Sequence, residues 1–407
     1  MDFLKEYKES DITRLHMPGH KGKGVDCLPD ELKSAYAFDI TEIGGADNLF
    51  QTSGIIKESE DNASDIFGIK TFYSTEGSSL SIKAMVYIAQ KHYELNNPPV
   101  PFGERPYIIT AGMCHKALFH AVELLNVGIE RVEISLDANG NDSGIENESA
   151  DASKKESIKD IISKVSDIVL EKGFLPIGFF TTYPDYFGNV CDLSELKKGL
   201  SVLNIPLLTD GAHSSYLKFL DTDKYSEYKF PGDCGADIFA SSAHKTLPAL
   251  TGTAYLHISD SFKDIFPIVK HALDLFGSSS PSYLLMASLD AFNAEAEDYR
   301  DALSEFIPKA ENLKKEIEEL GFTVRKSDPL RIVVWKDDTY SGEDFTSALR
   351  ENKCEPECFD DEYVIMMLTP FNDDKDLQRI KEAFTSLKDN GIKEKAKEGY
   401  NCLDNFI

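Results

Sequence analysis

The run "SSAHKTLPALTG", Ser241–Gly252, delivers a lysine just past an apolar stretch, "ADIFA". Lys245 follows two serines and a histidine there. A lysine amine becomes a nucleophile toward carbonyls when its surroundings or neighbours disfavour its charge. An ordinary surface lysine after a strand has the same local sequence, so Lys245 needs company. Asp210 provides it, at the end of another apolar run, "IPLLTDGAH". A carboxylate in that position can cap a helix, or it can keep a pyridine nitrogen protonated. Asp210 and Lys245 are separated by strand, loop and strand. That order fits a site for pyridoxal 5'-phosphate (PLP), which needs a Schiff-base lysine and a carboxylate at its ring nitrogen.

Two further segments could complete such a site. "STEGSSLSIK", residues 74–83, reads as strand, turn and helix, with Gly77, Ser78 and Ser79 at the helix start. Backbone N–H groups, hydroxyls and the helix dipole there suit a phosphate. The segment lacks the GxxxxGK[ST] pattern of a P-loop, and serine at a helix start is also a common cap. In "CHKALFHA", His115 opens a helix after the strand "YIITA". Its ring could stack on a cofactor ring, or could simply cap the helix.

These residues need elements to position them. From about residue 55 the chain reads as strand, helix, strand: "IKTFYST", "SLSIKAMVYIAQKHYEL", "RPYIITA", "HKALFHAVELLN" and "RVEISL". Residues 137–157 are polar and rich in Gly, Asn and Ser, which predicts an exposed loop. An amphipathic helix follows, with Ile158, Ile161, Ile162, Val165, Ile168 and Val169 on one face. Then come "LPIGFFTT", the helix "LSELKKGLSVL", "IPLLTD", "ADIFASSA" and "GTAYLHI". Several strands are apolar throughout, which predicts a mostly parallel α/β sheet covered on both faces. Ligands bind such sheets at the carboxyl ends of the strands, and Asp210, Lys245 and the "TEGSS" turn all fall at expected carboxyl ends.

The flanks read differently. Residues 1–50, including "RLHMPGHKGKG", lack periodicity and read as an irregular N-terminal arm. After about residue 260 comes one long helical stretch, "PSYLLMASLDAFNAEAEDYRDALSEFIPKAENLKKEIEELG", which Pro308 could break. Short strands "FTVRK", "LRIVVWK" and "YVIMMLT" follow, with helices at about 342–352 and 373–389. The expected division is an arm at 1–50, a large domain at 51–275 and a small C-terminal α+β domain at 276–407.

Composition bounds the function. The 407 residues carry 43 Lys and Arg against 70 Asp and Glu, a net charge of −27. That surface repels nucleic acid and anionic membrane. It could draw in a cationic substrate, or serve solubility alone. No apolar run approaches the roughly 20 residues a membrane helix needs. The opening "MDFLKEYKES" is too charged for a signal peptide. Seven cysteines at 27, 114, 191, 234, 354, 358 and 402 show no pairing pattern, which predicts reduced thiols and a cytoplasmic protein. Cys354 and Cys358 have no Cys/His partners nearby in sequence, so no metal site is expected.

Taken together, the motifs resemble one family, the bacterial PLP-dependent ornithine/lysine/arginine decarboxylases. These have the fold-type I, aspartate aminotransferase-like architecture. The matching stretches are "LHMPGHKGKG", "DITEIGGADNLF", "GIIKESEDNASDIFGIKTFYSTEGSSLSIKAM", "CHKALFHA", "LTDGAH", "GADIFASSAHKTLPALTGTAYLHI" and "SPSYLLMASLDA", in family order over about residues 14–295. The resemblance implies that Lys245 holds the cofactor, Asp210 pairs with its pyridine nitrogen, His213 lies near the ring oxygen and His115 stacks on the ring. Ser78, Ser79, Ser242 and His244 would hold the phosphate. Ser279 would reach the phosphate of a neighbouring subunit, since family active sites form at a homodimer interface. Glu357 matches a carboxylate near the substrate side chain, and a cationic substrate would need such acidic partners, with Glu42 a second choice.

The chain also departs from the family. A response-regulator-like wing domain is expected to be absent and the C-terminal part shortened. "DGAHSSY" has Gly211 for Glu and Tyr216 for a second His, and "TEGSS" has Glu76 where Asn is usual. These changes bear on substrate identity more than on cofactor binding. The expected reaction is decarboxylation of arginine, lysine or ornithine to agmatine, cadaverine or putrescine, chemistry of polyamine biosynthesis. Two alternatives stand beside it. One is another PLP reaction, such as that of an aminotransferase or lyase, with Arg331 in "DPLRIVVW" available for an α-carboxylate. The other is a catalytically silent relative.

Overall fold

A computed structural model describes residues 2–132 and 157–391. The stretch expected to be irregular contains helices α1 (Asp2–Glu9) and α2 (Asp30–Ala35), and α3 (Ile55–Phe67) follows. Sequence periodicity misses α3 for a physical reason. Its buried face carries Ser59 and Glu60 among Ile56, Ala63 and Phe67, which breaks the apolar stripe. Glu60 is tolerated there because Lys270 pairs with it at 2.5 Å. The start of α3 is capped from a distance, by Asp47 Oδ2 accepting from the N–H groups of Gly54, Ile56 and Lys57.

The main sheet has strands β1 (Lys70–Ser74), β2 (Tyr107–Ala111), β3 (Gly128–Val132), β4 (Phe179–Thr182), β5 (Leu207–Asp210), β6 (Ile238–Ser242) and β7 (Ala254–Ile258). Their order is β1-β7-β6-β5-β4-β2-β3. Only β7 runs against the rest, pairing antiparallel with both β1 and β6. Because β7 is reversed, β1 again points the same way as β6. Ala254 pairs with Ser74 on one side and Ser242 on the other, so both strands finish at one edge.

Helices α4 (Gly77–Asn96), α5 (Lys116–Leu125), α6 (Ile158–Lys172), α7 (Leu193–Val202), α8 (Ala243–Thr246) and α9 (Phe266–Phe276) interleave with the strands. Successive strand residues face opposite sides. Phe72, Ile108, Phe180, Leu208 and Leu256 therefore join one core with residues of α4, α5 and α9. Tyr73, Ile109, Phe179, Leu207 and Tyr255 join the other. Burial on both faces is what makes these strands apolar throughout. The loop expected at 137–157 lies outside the described residues, apart from Ser157, which caps α6.

Helix α10 (Tyr283–Glu319) runs 37 residues through Pro308 without a break. A proline in a helix interior costs about 3 kcal/mol. Leu303, Phe306, Ile307, Ala310 and Leu313 are buried on either side of it, and that packing outweighs the lost hydrogen bond. Beyond it come β8 (Thr323–Arg325), β9 (Arg331–Trp335), α11 (Gly342–Glu351), β10 (Cys358–Phe359), β11 (Tyr363–Met367) and α12 (Asp374–Asn390). These four strands form an antiparallel sheet, ordered β10-β11-β9-β8. No helix among the described residues is long and apolar enough to cross a membrane.

Candidate active site

The carboxyl ends of β5 and β6 bring Asp210 and Lys245 to one edge. After Ser242 the chain makes a single helical turn, α8, which presents Lys245 half-buried. That turn is held by its backbone: Leu247 N donates to Ala243 O at 2.8 Å, and Tyr299 OH of α10 donates to Thr246 O at 2.6 Å. Lys245 Nζ lies 3.1 Å from His213 Nε2. His213 is buried in the turn after β5, where Ser214 N donates to Gly211 O at 2.7 Å.

Burial raises the titration of Asp210, while the Lys245 ammonium and the Ala212 N–H, 3.1 Å from Oδ1, pull it back. The result is a buried carboxylate whose charge calls for a cationic partner. Burial drives His213 far below the ordinary histidine range, and the nearby cations of Lys245 and Arg331 push the same way. Its ring is neutral at pH 7. His115 behaves similarly, lowered to about 4 by burial and then by Lys245. His115 does cap α5, with Nδ1 accepting from Ala117 N at 3.2 Å, and Lys245 acts on it electrostatically. A neutral imidazole stacks on an aromatic ring without the desolvation cost of a charge.

The "TEGSS" turn sits across β7 from Lys245. Gly77 has φ of +71°, a backbone that glycine adopts without strain. Its N–H donates to Gly252 O at 2.7 Å, in the loop that follows Lys245. A Cβ on Gly77 would meet nothing within 4 Å, so space is open above it. Ser78 and Ser79 are half-buried in the first turn of α4. Glu76 Oε1 accepts from Ser278 N at 2.5 Å, which ties the segment holding Ser279 beside the same turn. His244 faces away from solvent in part, with Nδ1 2.7 Å from Thr253 O.

Thr209 Oγ1, His213 Nδ1, Ser242 Oγ and Thr246 Oγ1 are buried with no hydrogen-bond partner among the described residues. Each such group costs about 1–3 kcal/mol unless a partner arrives. Thr209 lies on the other face of the sheet from Asp210; the other three, along the β5–β6–α8 edge beside an amine and a carboxylate, fit a polar ring bearing a phosphate. Ser78→Ala with Ser79→Ala should weaken PLP binding by about 10- to 100-fold, the range for losing hydrogen bonds to a charged group. Titrating the cofactor by its visible absorption would measure this.

Sequence reading missed Tyr186 and gave Arg331 only to an alternative. Tyr186 follows β4, in a turn where Asp185 Oδ1 accepts from Phe187 N and Asn189 N, each at 2.9 Å. The Asp-x-x-Gly-Asn pattern at a strand's carboxyl end is the local signal that could have found it. The Tyr186 ring stands edge-on to His213, 5.5 Å between centroids at 87°. Its hydroxyl donates to Glu357 Oε1 at 2.9 Å. Glu357, on the loop entering β10, is thereby joined to the Lys245 group. Glu42 is not: it is exposed, near Tyr283 at the start of α10. Ser279 is exposed and follows Ser278, whose N–H is tied to Glu76. Arg331 is buried at the start of β9 and pairs through Nη1 with Asp328, while its Nε and Nη2 have no hydrogen-bond partner among the described residues.

Residues 1–372 match the model of the Orn/Lys/Arg decarboxylase major domain. The chain belongs to the Orn/Lys/Arg decarboxylase family. It is 29% identical over 380 residues to the uncharacterized protein YaaO of Bacillus subtilis (strain 168), covering 90% of this chain and 72% of that one. It is 28% identical over 405 residues to an arginine decarboxylase of the same organism, covering 94% and 76%. The lysine decarboxylase LdcF of Francisella novicida superposes with a TM-score of 0.76 at 18% identity, over 95% of this chain and 59% of that chain. This family member therefore spans about three quarters of those curated relatives and about three fifths of that solved chain. Its architecture is fold-type I, and its cofactor is pyridoxal phosphate.

Proposed function

We propose that the chain decarboxylates a basic amino acid, arginine, lysine or ornithine, to the corresponding amine and CO₂. The observation that carries this reading is the contact series Lys245–His213–Tyr186–Glu357, which starts at the cofactor lysine and ends at an accessible carboxylate. When bound, PLP supplies a ring that accepts the electrons left at the substrate α-carbon.

The residues divide the remaining work. Lys245 holds the cofactor covalently. Asp210 balances positive charge at the ring nitrogen, and burial makes that interaction strong. His115 would cover one face of the ring. Ser78 and Ser79 at the α4 N-terminus, with Ser242 and His244 at the β6–α8 junction, would hold the phosphate. Lys245 Nζ and His213 Nε2 are close enough to share a proton, and either can return one to the α-carbon after CO₂ leaves. Glu357 receives the distal cation. The net charge of −27 favours approach of such a substrate.

The test is CO₂ release measured in parallel from arginine, lysine and ornithine. One of them should be turned over, and release from none would end this reading. Glu357→Gln should raise KM for the preferred substrate by about 10- to 100-fold, as loss of a charge-assisted hydrogen bond would. Steady-state kinetics over a range of substrate concentration checks it.

Arg331 favours a second reading, transamination, because its Nε and Nη2, which have no partner among the described residues, suit a carboxylate. A keto acid product in place of CO₂ would select it. In the first reading the working protein is a cytoplasmic homodimer in which Ser279 meets the partner's phosphate site. Sedimentation would test the dimer.

A further inference from the structure

We infer that Tyr186 is a specificity-determining residue, the one that fixes Glu357 as the acceptor for the substrate's distal cation. This rests on the decarboxylase reading and adds to it a residue with no role so far. Glu357 is exposed. An exposed glutamate side chain has several rotamers open to it, and ordering it costs binding affinity. Tyr186 is only 5% exposed and is locked among Phe187, Val333, Trp335 and Ile365, where β4's end meets the second sheet. The Asp185 turn fixes its backbone. A rigid hydroxyl donating at 2.9 Å therefore sets the carboxylate before substrate arrives.

The chemistry leaves room for the ligand. A carboxylate has about four acceptor positions over its two oxygens. Tyr186 occupies one on Oε1, and a carboxylate can accept from more than one donor at once, an ammonium or guanidinium included. A phenol carries no charge, so it holds the carboxylate without neutralising it. The same ring packs edge-on against His213, which contacts Lys245. Tyr186 thus sets the position of the acidic end of the site relative to the lysine end, and so which side-chain length bridges them.

The experiment uses the PLP-loaded full chain. Arginine, lysine, ornithine and neutral norleucine are titrated against the cofactor's visible spectrum, and CO₂ release is followed separately. In Tyr186→Phe, Kd for the preferred basic amino acid should rise about tenfold, the size of one hydrogen bond to a charged group. Norleucine binding should change less than twofold, so discrimination between the two collapses. Glu357→Gln, at an exposed position, should give the same pattern, and the double variant should be no worse than the poorer single one. An unchanged ratio of basic to neutral affinity in Tyr186→Phe would overturn the inference, as would effects of the two substitutions that add in full. Absence of CO₂ release from the wild type refutes the decarboxylase reading alone, because the binding ratios still decide the role of Tyr186.

Discussion

Lys245→Ala should lower CO₂ release by at least about 10³-fold, the scale of losing a positioned proton donor, before the lost cofactor attachment is counted. The purified variant should also lose the visible band of lysine-bound cofactor. After borohydride treatment, no cofactor mass should remain on the peptide containing residue 245. The fold should survive. The α8 turn is held by the backbone bond from Leu247 to Ala243 and by Tyr299 on Thr246, neither of which uses the lysine side chain. Alanine is also the best helix former. An unchanged melting temperature with no turnover would separate chemistry from structure. Retained turnover would remove Lys245 from the mechanism.

Asp210→Asn should lower kcat by about 10²–10³-fold, as loss of one preorganised electrostatic contact does. The asparagine oxygen can still accept from Ala212 N, so the turn stays and only the charge goes. Without cofactor, the same substitution should act on stability in the opposite direction. Burial raises the Asp210 carboxyl above its unfolded value, despite the pull of Lys245. A carboxyl raised on folding binds its proton more tightly in the folded state. Stability contributed by the protonated form is therefore lost as pH rises from near 4, the unfolded value, through the folded one. Cofactor-free Asp210→Asn should melt above wild type at neutral pH, and the gap should close below pH 4. Melting curves from pH 3 to pH 8 would test this. A wild type that melts higher throughout would mean that Asp210 stabilises the empty site.

The two largest expected effects fall on residues that can be picked out from local sequence. Lys245 and Asp210 each end an apolar run, and a strand buried on both faces must be apolar along its length. Ser78, Ser79 and His115 were legible for a similar reason, as polar groups opening a helix directly after a strand. Pro308 misled, because the local penalty was visible and the packing on α10 that offsets it was not.

What the sequence by itself determined was the alternation of strands and helices, the carboxyl-end placement of the lysine and aspartate, and a family motif around each. All of these depend on neighbours within a few residues. Tertiary structure decided the rest. It reversed β7, so that "TEGSS" and Lys245 finish at one edge. It capped α3 from Asp47 and paired Glu60 with Lys270, 210 residues away. It brought Tyr186 to Glu357 across 171 residues. The reason is physical: hydrogen bonds and ion pairs act over a few ångströms in space, and no local pattern records which distant residue will supply the partner.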